Sequence, residues 1–276
     1  MTGRNVLIIA GQEFRITLRS KWVQIFAIVF ASLTVAISYF GMVTSIVVDF
    51  EGFTRTTASL LNLVLYLVPM VALAAAISSF GMDRGAAELL FSQPVSRSEV
   101  LLGKLLGLFV SLMVAVLFGF GVSGLIIAVR SGTDGILRYL GFILLTLFLL
   151  STFLCLGALA SIITDGRVRA LGVALGIWFF FVLFYDLLTM GVASLVSPHA
   201  GNQIIFFSLF GNPVDLARVG GLLILGGPTI FGAAGALLMK TLGSAALTIL
   251  LLSFSTLLWS SLVFLASQWA LARREI

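Results

Sequence analysis

Charge is what this 276-residue chain has least of. Asp, Glu, Lys and Arg make up 10% of it, against about a quarter in an ordinary soluble domain. A soluble fold of this length has too small a core to hide so much apolar surface, and that class is excluded. Histidine and cysteine are nearly absent too, with one of each. Cys155 alone forms no intrachain disulfide and no cysteine-cluster metal site. His199 has no thiol or carboxylate beside it in sequence and reads as an incidental residue of a connecting segment, so no metal site is expected. There is no G-x-x-x-x-G-K-[ST]: Gly103 and Lys104 adjoin, but position 98 is serine and position 105 leucine. The chain therefore builds no phosphate-cradling loop of that type. HExxH, GxSxG and a His–Ser–Asp set within plausible reach are also missing, so the chain is not expected to be an enzyme.

What is present is apolar. Hydrophobic residues make up 60% of the chain and the mean hydropathy is +1.19. A bilayer can solvate such a chain, and a span needs roughly 20 mostly apolar residues. Six runs qualify, at about 22–42, 59–80, 104–129, 139–163, 170–195 and 245–270. They do not alternate apolar and polar residues as a barrel strand would. They are helices, because backbone in lipid must satisfy its own hydrogen bonds. The expectation is an all-α integral membrane protein, with residues 1–276 forming one transmembrane domain. The first run begins near Trp22 with no small-residue cleavage site after it, and reads as a retained helix.

A formal charge of +5 would suggest nucleic acid in a soluble protein. Here the basic residues stand at the ends of apolar runs, where membrane topology puts them. Placing both termini in the cytoplasm leaves only Arg55, Arg130, Arg138, Arg218 and Lys240 of the sixteen Lys and Arg outside, as the positive-inside bias demands. Trp22 and Trp269 then lie at the cytoplasmic interface and Tyr139 at the outer one. Residues 3–20 read as a surface helix, with Leu7, Ala10, Phe14 and Leu18 on one face and Arg4, Arg15 and Arg19 on another. Segment 196–244 is long, apolar and glycine-rich, with Pro228 inside it. A seventh span there would carry Arg273 and Arg274 outside. Short outer helices that enter the membrane partway are expected instead, packed against protein.

Several motifs carry a physical reading. Gly119, Gly121 and Gly124 match GxGxxG but lie within an apolar helix, so they serve helix packing and bind no nucleotide. Gly103 with Gly107, and Gly172 with Gly176, have the same small-xxx-small spacing. The loop 81–103 is longer than an ordinary connection. It holds Asp83, Arg84, Glu88, Arg97 and Glu99 around an apolar Leu-Leu-Phe, with Pro94 between, a pattern suited to docking on a soluble partner. Asp186 is the one ionisable residue well inside a predicted span and needs a partner facing the bundle. Met190 lies one turn on, and Tyr185 and Asn62 are candidate polar neighbours. The readings for Asp186 are a gate, a proton or cation site, or an interface anchor. Asn212, Pro213 and Asp215 read as a helix cap, first position and first-turn acid.

In this order the parts resemble an ABC-2 type permease, a type V exporter-like fold. That family has an N-terminal elbow helix, six spans, a coupling loop between spans 2 and 3, and re-entrant or interfacial outer helices before the last span. Gly85, Pro94, Arg97, Leu101, Leu102, Gly103 and Lys104 look like its coupling-loop signature. Stretches 20–41, 170–188 and 209–218 are similar to the permeases that serve nitrous oxide reductase maturation. The resemblance implies an inner-membrane homodimer bound to two copies of a cytoplasmic ATPase that carries ATP and Mg. It also implies a periplasmic partner that handles copper and sulfur. ATPase coupling would then fall to Asp83, Arg84, Glu88, Pro94, Arg97, Glu99 and Lys104. Alternatives are an ABC-2 exporter of another substrate, an ATP-independent secondary transporter, or a structural anchor. A secondary transporter would need internal repeats, and no clear repeat relates the halves. Copper conduction through the helices ranks low, since only Asp186, Met190 and Met70 offer ligands in series.

Overall fold

In the computed structural model, residues 3–45, 51–81, 95–131, 136–226 and 243–273 are described. Every regular element among them is helical: α1 Gly3–Arg19, α2 Lys21–Ser45, α3 Glu51–Phe80, α4 Arg97–Ser131, α5 Ile136–Ile163, α6 Arg167–Phe179, α7 Tyr185–Ser194, α8 Pro198–Gly211, α9 Pro213–Gly226 and α10 Ala245–Arg273. A π turn, Phe180–Phe184, joins α6 to α7, so that Arg167–Ser194 forms one span. Six units are long and apolar enough to cross a bilayer: α2, α3, α4, α5, the α6–α7 unit and α10.

Helix α5 is the hub. It packs against α3, α4, α6, α9 and α10, and Leu149, Phe153 and Leu154 on it are fully buried. Contact with α3 is close because Gly157 has no side chain: a Cβ there would lie 2.7 Å from the Ala76 Cβ. Lipid tails are as apolar as leucine, so such close backbone approach, rather than water exclusion, is what holds spans together. Hydroxyls tie α5 to α10. The Ser260 hydroxyl lies 2.9 Å from that of Ser151 and 2.7 Å from that of Thr152, and Thr152 donates to the Thr256 carbonyl at 3.3 Å. Each such interhelical bond contributes about 0.6 kcal/mol.

Helix α1 lies on α4. Gly103 faces Val6 and Ile9, Gly107 faces Ala10 and Glu13, and the Ser111 hydroxyl donates to the Phe14 carbonyl at 3.3 Å. One small residue per turn of α4 thus forms the trough in which α1 rests. The docked face is turned from the expected one, keeping Ala10 and Phe14 in the contact but not Leu7. Val6, Glu13 and Thr17 are buried, whereas Leu7 is 71% exposed. The trough admits the stripe whose backbone can come closest, and the bulkier Leu7, Ile8 and Ile16 turn outward.

Other expectations shift in detail. Helix α4 begins at Arg97, so the end of the predicted 81–103 loop is helical; residues 82–94 lie outside the described set. Between α7 and α10 come two short helices. Helix α9 buries Val214, Leu216 and Ala217 and packs on α3, α5 and α10. At 14 residues it is about 21 Å long, too short to cross a hydrocarbon core of about 30 Å. Residues 227–242, which hold the rest of the glycine-rich run, lie outside the described set. Gly119 and Gly124 do meet neighbours, Phe30 and Tyr139, but Gly121, Gly172 and Gly176 have nothing within 4 Å of a built Cβ.

A Cβ at Gly107 would come 2.6 Å from the Ala10 carbonyl oxygen, so Gly107→Val forces α1 off its seat. The expected loss is about 1–3 kcal/mol, read as a lower thermal midpoint and faster tryptic cleavage at Arg15 and Arg19. Gly121→Ala on the same helix should leave both unchanged or slightly improved.

Candidate functional site

The densest polar constellation lies at the end of the bundle away from α1. Asn212 caps α9, its side-chain oxygen accepting the Val214 N–H at 3.0 Å; Pro213 takes the first position, where no N–H is needed. The Asn212 amide donates to the Phe181 carbonyl within the π turn at 2.9 Å and to Asp215 at 2.9 Å. Arg218, one turn beyond Asp215, reaches both carboxylates through a single nitrogen. Its Nη1 lies 2.5 Å from Asp186 Oδ2 and 2.8 Å from Asp215 Oδ1. The Tyr185 hydroxyl donates to the Ser208 carbonyl at 2.7 Å, and Gly211 lies too close to it for any side chain. The broken span is thereby fastened to α8 and α9 beside its own irregular turn.

Two carboxylates face one guanidinium, and the Asp215 side chain is only 14% exposed. Chemically the cluster is a latch that ties α7 to α9. Among the described residues no three metal-ligating side chains converge. Met190 is 68% exposed on α7 and Met70 48% on α3, and the described contacts do not bring them into the cluster. Asn62 is exposed on α3.

At the α1 end the predicted coupling residues are engaged within the chain. Ser96 and Glu99 form a capping box: Glu99 Oε2 accepts the Ser96 N–H at 3.1 Å and the Ser96 hydroxyl accepts the Glu99 N–H at 3.3 Å. This starts α4 at Arg97. Arg97 donates to the Leu271 carbonyl of α10 at 2.9 Å, satisfying a helix terminus. Lys104 turns inward, donating to the Ser79 carbonyl at 2.6 Å and pairing with Glu13 of α1 at 3.6 Å. Asp83, Arg84, Glu88 and Pro94 lie outside the described residues.

Sequence reasoning missed Arg218 as the partner of Asp186, because it was counted only as a topological charge. The signal was there: an N-capped helix puts Arg218 at i+3 from Asp215, on the same face. It also missed the Ser96–Glu99 box, whose S-x-x-E spacing is legible.

Removing Arg218 leaves two carboxylates without their cation. Arg218→Met should cost about 2–3 kcal/mol, less than for a fully buried pair because the partners keep partial exposure. In an Asp186→Asn background the same change should cost less, the double-mutant cycle giving the coupling.

Comparison with known proteins matches residues 7–268 to the model of the ABC-2 family transporter protein. The chain is 35% identical over 225 residues to the probable ABC transporter permease protein NosY of Pseudomonas aeruginosa, covering 78% of this chain and 80% of that one. It is 32% identical over 219 residues to the probable ABC transporter permease protein NosY of Stutzerimonas stutzeri, covering 76% and 79%. A short first helix, six helices able to span and two short helices before the last one agree with that match, and the chain belongs to the ABC-2 family of transporter permeases.

Proposed function

We propose that this chain is the inner-membrane permease of a nitrous oxide reductase maturation system, working as a homodimer with two copies of a separate cytoplasmic ATPase that binds ATP and Mg. Both termini face the cytoplasm, and the whole chain acts as one transmembrane domain. ATP-driven closure of the ATPase pair pushes on the 81–103 region, and the spans carry the motion to the 196–244 segment. There it serves a periplasmic partner that handles copper and sulfur.

The breadth of the likeness carries this reading: two NosY permeases match over more than three quarters of the chain. Geometry supports the dimer. The span Arg167–Ser194 is only 11% buried, and Phe179, Leu183, Leu187 and Met190 are exposed along it. An apolar face this wide on a helix fastened at both ends suits a second copy. Conduction of copper through the helices gains no support, since Met70 and Met190 lie on different helices and the cluster is occupied by its own salt bridges.

The test is co-purification from native membranes in mild detergent, with ATPase activity assayed on the eluate. The expected result is a Walker-motif subunit in equal copy number that is lost on charge reversal at Asp83, Arg84 and Glu88 together. Arg97 and Glu99 are unsuitable for reversal, because they cap and tie helices. A chain that elutes alone, without ATPase activity, would return the secondary-transporter reading to first place.

A further inference from the structure

At the α1 end, a cavity of about 680 Å³ opens between α1, the start of α2, the end of α3, the start of α4 and the start of α6. It shares the Lys104–Glu13 pair with the junction described above, but lies apart from the latch at Arg218. Its inner wall is apolar, built by Val23, Ala75 and Leu108, and the partly exposed Ile16 and Leu171 stand at its edge. Its rim is polar, with Ser78, Ser79 and Arg167. Glu13 and Lys104 also line it, but they pair with each other at 3.6 Å, so together they add no net charge. Arg167 is different. It is exposed and gives one N–H to the Ser78 hydroxyl at 3.1 Å, leaving most of its five donors available. Its stem runs beside Gly81, where a built Cβ would lie 3.5 Å from the Arg167 Cγ. Asp165 and Arg169 flank it and offset each other in charge.

The level of the cavity matters as much as its lining. Ser78 and Ser79 stand in the last turn of α3 and Arg167 opens α6, while Ala74, Ala75 and Leu171 lie about one turn farther along the same helices. Trp22, an amphipathic ring of the kind that settles at headgroup depth, stands at the mouth and is 55% exposed. A ligand that fits must therefore be anionic and hydrogen-bonding at one end and apolar at the other.

We propose that this cavity binds an anionic phospholipid, with its phosphate on Arg167 and the Ser78–Ser79 rim and an acyl chain along Ile16, Val23 and Leu171. Charge complementarity and depth select this occupant; basic pockets between spans bind such headgroups elsewhere. Bound there, the lipid bridges α1, α3 and α6, three elements that meet around Lys104 and Arg167. The inference needs only the membrane reading of the chain and is independent of the partner proposed above.

Trp22 provides the probe. The full-length chain is placed in phosphatidylcholine vesicles that contain a minor fraction of brominated phosphatidylglycerol or of brominated phosphatidylcholine. Quenching that disappears in Trp22→Phe is assigned to the cavity mouth. Brominated phosphatidylglycerol should be preferred about fivefold, the effect of one basic residue near a headgroup. Arg167→Gln should abolish the preference, and Arg167→Lys, which keeps the charge, should retain at least half of it. Equal quenching by the two lipids in the parent chain means ordinary boundary lipid and overturns the proposal. A preference that survives Arg167→Gln, or one lost in both variants, overturns the headgroup assignment. Absence of quenching by either lipid means that protein, such as a second copy of the chain, fills the space, and overturns it as well.

Discussion

A carboxylate on a membrane-spanning helix cannot stand alone. Left unpaired near the middle of a bilayer it costs roughly 2.5–3.5 kcal/mol by insertion measures and more by others. Asp186 meets that constraint through Arg218, and much of the far end of the bundle follows from it. For Arg218 to arrive, α9 must present its first turns to the broken span. For α9 to begin there, its N-terminus needs a cap, which Asn212 supplies while also binding the Phe181 carbonyl. Asp215 then shares Arg218 with Asp186. The charge of Asp186 thus brings a cap, a short helix and the π turn together.

The α1 end solves a different problem with different chemistry. There the need is to hold an interfacial helix against a span without water to drive the association. Close approach does this: Gly103, Gly107 and Ser111 leave room for the α1 backbone. The Lys104–Glu13 pair works inside that contact, with Lys104 also bonded to Ser79 of α3. Three elements consequently meet at one ammonium group. The first turns of α4 are thereby joined to α1 and α3 through shared packed contacts, which pass displacement between elements.

The spans were legible because apolar length is a strong signal and lipid leaves the backbone no alternative to a helix. The cap at Asn212, Pro213 and Asp215 was legible because capping is local. What failed to show were choices between faces. Leu7 looks like the docking residue of α1 by hydrophobicity, yet Val6 docks, since the depth of the glycine trough decides and hydrophobicity does not. Gly172 and Gly176 have the spacing of a packing motif but meet no neighbour among the described residues. The pairing of Asp186 with Arg218, 32 residues apart across a helical hairpin, needs the path of α8 and α9, which no periodicity encodes. The start of α4 lay between these cases: Ser96 and Glu99 spell a capping box, masked by the polar residues around it.

The span Arg167–Ser194 is where these two ends meet. At the α1 end Arg167 binds Ser78, and midway along the span Trp178 donates to the Tyr66 carbonyl at 3.0 Å, both acceptors on α3. At the far end Asp186 and Tyr185 bind α9 and α8. Between these attachments lies the π turn, the one interruption of α-helical bonding in the span, where the Tyr185 N–H reaches back to Phe180. Such turns accommodate a change of register at low cost, because an extra residue is already present in the turn. Rigid segments anchored at opposite ends and joined by such a turn resolve relative motion of the ends there, and not in the well-packed core of α5. The latch at Arg218 sits within one turn of that joint and fastens the far side of it to α9.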